Sequence, residues 1–94
     1  MRLTEGFDPA SIEKYSKTIR EVPGVIAVQG IEPRWLGDQV VMKIGVYLDD
    51  DTNLKTAFMI GEKVEHALME QYDILDADVM AYPVSLRDNP ANVD

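Results

Sequence analysis

Residues 24–51 read GVIAVQGIEPRWLGDQVVMKIGVYLDDD, and the alternation in their second half decides the fold. Val40, Met42, Ile44, Val46 and Leu48 share one side of an extended chain, with Gln39, Lys43 and Gly45 on the other. Strict period-two alternation over that length is the pattern of a strand with one face buried. The first half, Val25 to Glu32, is β-branched and apolar but alternates poorly, which leaves its facing open. Pro33, Gly37 and Asp38 supply turn chemistry between the two runs and predict a hairpin with its loop near Trp35 to Asp38. Two strands alone are marginal in water, so the flanking segments must cover them.

Upstream, Asp8 can cap a helix, Pro9 suits its first position, and Ile12, Tyr15, Ile19 and Val22 follow helical spacing until Pro23 and Gly24 stop it. Downstream, a helix is predicted from Asn53 to Tyr72, with Leu54, Ala57, Phe58, Gly61, Val64, Glu65 and Leu68 as the stripe that lies on the sheet. A third strand, Ile74 to Tyr82, follows at once and is closed by Pro83. It puts Ala77, Val79 and Ala81 on one face and Asp76, Asp78, Met80 and Tyr82 on the other. A strand–helix–strand connection within one sheet is a right-handed parallel crossover, which places the third strand beside the second.

The expected fold is therefore α+β: a small αββαβ domain of ferredoxin-like, metallochaperone-like type, with a three-stranded mixed sheet and two helices on one face. Residues 1–7 read as a lead-in, 8–83 as the domain and 84–94 as a flexible tail. The other sheet face is left bare. It carries Val41, Lys43, Tyr47, Asp78, Met80 and Tyr82, a surface that a second copy of the chain would cover, so a homodimer is expected.

Composition narrows the functional classes. A chain of 94 residues with 46% hydrophobic and 28% charged residues is that of one small globular domain. A net charge of −8 argues against a nucleic-acid partner, which needs clustered Lys and Arg. The absence of cysteine removes disulfides and thiolate metal sites. No apolar run reaches the roughly 18 residues that suggest a membrane span, and no signal-peptide pattern opens the chain, so a cytoplasmic location without membrane insertion is expected. Asp49, Asp50 and Asp51 read as a solvated loop whose last members cap the following helix, with cation binding as the alternative. Catalysis is not expected: Asp76, Asp78, Glu65 and His66 are titratable, but no nucleophile arrangement, phosphate-cradling glycine loop or H-E-x-x-H pattern accompanies them. Trp35, beside Leu36 at the expected hairpin tip, reads either as a contact point or as a side chain folded back on the core.

Taken in order, LTEGFD at the start, VPGV before the first strand, R-x-x-G at Arg34 to Gly37, and NLKTAFMIGEKVEHAL closing on VMAYP resemble the cytoplasmic C-terminal domain of cation diffusion facilitator transporters. The resemblance covers about Leu3 to Pro83. It implies a homodimeric regulatory domain attached to the transmembrane domain of a divalent-metal/proton antiporter of an inner or plasma membrane, with metal bound between protomers in several members. A free-standing metal-binding or protein-interaction module derived from that domain is the alternative.

Carried over position by position, the family's ligands fall on other chemistry. A histidine of the first strand falls on Gln29, one early in the second helix on Phe58, and a histidine and carboxylate before the closing proline on Met80 and Tyr82. A second-strand position that is acidic in some members falls on Lys43. Zinc and manganese favour imidazole and carboxylate over this set. The residues left as candidate metal ligands are Asp78, Met80, Gln29 and the single histidine, His66. No cofactor is required by this reading, and zinc, manganese or iron would bind only weakly. Lys43 is expected near Asp78, supplying permanently the positive charge that a metal supplies in relatives.

Overall fold

The computed structural model describes residues 7–87. Helix α1 (Pro9–Arg20) begins as its sequence dictates: the Asp8 carboxylate accepts from the Ser11 N–H at 2.9 Å, and Pro9 occupies the first turn, where no N–H is needed. That hydrogen bond holds the Asp8 carboxyl below its ordinary range. After α1 the chain turns at Gly24, whose φ of +100° is open only to glycine without strain.

Strands β1 (Ala27–Leu36) and β2 (Gln39–Leu48) form an antiparallel hairpin, and β3 (Ile74–Pro83) pairs with β2 in parallel, giving the order β1-β2-β3. Helix α2 (Leu54–Gln71), capped by Asn53 Oδ1 accepting from the Thr56 N–H at 2.8 Å, makes the crossover. Both helices cover the face of β2 that carries Val40, Met42, Ile44, Val46 and Leu48. Ile19 and Val22 reach that core from the α1 side, and Ile60, Val64 and Leu68 from α2.

Two bulges explain why the outer strands alternate poorly in sequence. In β1 the register shifts between Val28 and Gly30, so Gln29 is extra, and Val28 and Ile31 both reach the core although an odd number of residues apart. In the β2–β3 pairing the shift leaves Leu75 extra, and Ile74 and Ala77 both face inward for the same reason.

Three expectations need correction. The hairpin loop is not Trp35 to Asp38: Trp35 and Leu36 pair with Val40 and Gln39, and only Gly37 and Asp38 make the turn. A positive φ at Gly37 alone (+67°) is the pattern of a type II′ turn, whose twist suits the flanking strands. Trp35 does fold back, stacking on Phe7 with centroids 5.2 Å apart, yet remains 51% exposed. In α2 the inward stripe is Ile60, Val64 and Leu68, flanked by Ala57 and Ala67, whereas Leu54 and Phe58 are 86% and 66% exposed. They stand on the flank of α2 over the outer edge of β3, where no further strand of the sheet covers them.

Beyond Pro83 the chain forms a 3₁₀ turn, Val84–Leu86, where a structureless tail is expected, and the Ser85 N–H donates to Asp50 Oδ1 at 3.0 Å. The rest of that tail, 88–94, and positions 1–6 of the lead-in lie outside the described residues. The helix layer is tied by a polar cluster: the buried Thr18 hydroxyl lies 3.1 Å from the Tyr72 hydroxyl, which donates to the Lys14 carbonyl at 3.4 Å, and Tyr15 meets Tyr72 edge-on.

Candidate functional site

With both helices on one face, the opposite face of the sheet is the surface on which the predicted residues gather. Parallel pairing sets Lys43 beside Asp78, Gly45 beside Met80 and Tyr47 beside Tyr82. Antiparallel pairing on the other side sets Glu32 beside Lys43 and Gly30 beside Gly45. One lateral row across the three strands is therefore Glu32, Lys43 and Asp78, an ammonium between two carboxylates. The expected proximity of Lys43 to Asp78 holds in register, but the ion pairs among the described residues are Arg20–Glu13 at 3.2 Å and His66–Glu70 at 3.6 Å, so Lys43 makes none within the sheet.

The next row is set by glycine. A side chain at Gly45 would occupy the space where the Gln29 amide lies, so the bulge that makes Gln29 extra also lays it across β2. Gln29, Lys43, Met80 and Tyr82 then surround a depression of about 240 Å³ on the open face. The Tyr47 and Tyr82 rings stand side by side with centroids 6.3 Å apart. Met80 is 56% exposed, a large apolar side chain with nothing over it among the described residues.

Of the four candidate metal ligands, Gln29 and Met80 come together here, and Asp78 stands two residues along the same strand. His66 does not join them. It lies on α2, in the layer behind the sheet, exposed and paired with Glu70 one turn on. Around the depression the side-chain groups are the Gln29 amide, the Glu32 carboxylate, the Met80 thioether, the Tyr82 phenol and the Lys43 ammonium, so one carboxylate stands beside a cation, and no group of three His, Cys, Asp or Glu that could hold a metal occurs among the described residues. This donor set does not fit a zinc or manganese ion.

The acidic run is used locally. Asp49 Oδ1 accepts from the Asp51 N–H at 2.7 Å, and Asp50 clasps Ser85, which holds the Asp50 carboxyl below its ordinary range. The helix cap is Asn53 rather than Asp51, because only Asn53 stands three residues before the N–H it accepts. Sequence reasoning missed Glu32 as a neighbour of Lys43. Its facing depends on the bulge at Gln29, which the poor alternation of β1 signals without locating.

A two-helix layer over one face of a three-stranded mixed sheet, with the other face free, defines the class: an αββαβ, ferredoxin-like α+β domain. The chain belongs to the family described as the cytoplasmic domain of cation efflux proteins, whose family model matches residues 7–81. It is 31% identical over 83 residues to a probable cation efflux system protein of Mycobacterium tuberculosis, covering 87% of this chain and 25% of that protein. Against an uncharacterized transporter of Bacillus subtilis it is 21% identical over 85 residues, covering 90% of this chain and 29% of the other. The chain thus spans about a quarter of the length of the curated relatives it matches. Among solved structures, a MamM CTD variant superposes with a TM-score of 0.76 at 23% identity, over 79% of this chain and 89% of that one. A cadmium form of another variant gives 0.76 at 22% identity over 80% and 95%, and a manganese form of a third 0.75 at 23% over 79% and 95%. These structures share the fold. No helix among the described residues is long and apolar enough to cross a membrane.

Proposed function

We propose that this chain is the domain through which two copies of a divalent-metal/proton antiporter are held together on the cytoplasmic side, and that it assembles without a metal between the protomers. The open sheet face is the observation that carries this reading. Val41, Tyr47, Met80 and Tyr82 supply apolar and aromatic area of the kind found at the centre of interfaces, while both helices pack against the opposite face of the sheet. Lys43, between Glu32 and Asp78, supplies the positive charge that a metal would otherwise have to bring to facing carboxylates. The lining of the depression supports the same view, since its one carboxylate, Glu32, stands beside the Lys43 ammonium and has no imidazole or second carboxylate with it. MamM CTD variants have cadmium and manganese forms, and for this chain binding of such ions is weak at most.

Sedimentation velocity with and without zinc or manganese tests the reading. The expected result is a dimer whose population and shape do not change with metal, and which Met80→Arg converts to monomer by burying an unpaired charge at the interface. Lys43→Asp puts three carboxylates in one lateral row, and dimerisation should then require a divalent cation. A monomer in the unsubstituted chain, or saturable metal binding by calorimetry with a change of shape, would overturn the proposal.

A further inference from the structure

The free edge of β3 is a separate surface that the sheet-face reading does not use. Among the described residues β3 pairs only with β2, so alternate N–H and C=O groups along Ile74–Pro83 point outward, unpaired within the sheet. Exposed edges of this length are usually short, bulged or covered, because they template pairing with another chain. Here the edge runs alongside α2, and between the two lies a groove of about 500 Å³.

The two walls of the groove differ. On the helix side stand Leu54 and Phe58, large, apolar and mostly exposed, above Val79 of the strand. Gly61 leaves room on the groove floor: a side-chain carbon there would meet Val79 only at ordinary contact distance, 3.7 Å. On the open-face side Asp76 and Asp78 project, and Glu62 and Glu65 rim the helix above, while no Lys or Arg lines the groove. Edge carboxylates alone would be read as protection against unwanted pairing. Protection does not account for Phe58 and Leu54 left uncovered beside them.

We propose that this groove accepts an extended segment of a partner protein as a fourth strand, with apolar side chains alternating with Lys or Arg. The alternation follows from the two walls: successive side chains of an added strand point to opposite faces, one set toward Phe58 and Val79, the other toward Asp76 and Asp78. A second copy of this chain is the wrong occupant, because edge-to-edge pairing brings the same carboxylates against themselves. An acidic or uniformly polar segment fails on the charge or on the apolar wall.

The test uses the full chain and a fluorescein-labelled heptapeptide of alternating Lys and Val, followed by anisotropy and by amide chemical shifts. Expected are saturable binding, shifts at the Ala77 to Ala81 amides and in the first turns of α2, and about tenfold weaker affinity in Phe58→Ala and in Asp76→Lys. Phe58 is exposed and lies off the open sheet face, so the sedimentation profile of Phe58→Ala should stay that of the unsubstituted chain, whereas Asp76 borders that face and its variant is read by peptide affinity alone. A heptapeptide of the same composition with its lysines clustered should bind at least tenfold more weakly. The proposal is overturned by absent binding, by equal affinity for the clustered peptide, by shifts confined to the open sheet face, or by affinity unchanged in both variants. Loss of self-association in Phe58→Ala would overturn it in favour of a second copy.

Discussion

Gly61 and Gly24 face α2 and its neighbours in opposite senses, and their substitutions should part accordingly. Gly61 is a helical glycine with room beside it, so Gly61→Ala should raise stability by about 0.5–1 kcal/mol in urea unfolding through helix propensity. Gly24 combines a φ of +100° with a position where a side-chain carbon would lie 2.5 Å from Ile60 Cδ1. Gly24→Ala should cost about 2 kcal/mol or more in the same assay, from backbone strain plus overpacking. Asn53→Ala removes the α2 cap and should cost about 1 kcal/mol. In the sequence both glycines look alike as breaks in a pattern. Only their tertiary neighbours separate a glycine that is required from one that is replaceable.

Among the elements, β2 and the part of β3 beyond its bulge were legible from their alternation, and β1, bulged in mid-strand, was not. β2 alternates without interruption because it is central and straight, and its five inward residues are the five read from the chain. β1 and β3 each carry an extra residue, Gln29 and Leu75, and a single inserted residue reverses the facing of everything after it. The placement of Gln29 over Gly45, and of Glu32 beside Lys43, followed from that insertion and could not be read beforehand. The stripe on α2 holds at Ala57, Val64 and Leu68 but was extended to the wrong flank: helical spacing allows either Leu54–Phe58 or Ile60 beside them, and only the width of the sheet decides. The clasp between Asp50 and Ser85 joins two segments 35 residues apart and left no local signal. Because the bond lowers the Asp50 carboxyl from its ordinary 3.8, its contribution is complete above that pH and lost as pH falls through the depressed folded value. Amide exchange at Ser85 should therefore accelerate relative to the core only below about pH 3.8, and Asp50→Ala should show the faster exchange at neutral pH.

For the whole molecule, the layered design separates two surfaces that substitutions can probe independently. Tyr47→Arg, on the open face and outside the groove lining, should abolish self-association in sedimentation while leaving the α2 groove intact, and Phe58→Ala should do the reverse. The stack of Phe7 on Trp35 adds a property of a different kind. Tension applied through residue 7 has two load paths. One runs along α1 into the helix layer, and the other crosses the stacked rings to the tip of the β1–β2 hairpin, at the far end of the sheet from the Tyr47–Tyr82 pair. A twist entering at Phe7 is thereby delivered to both layers at once.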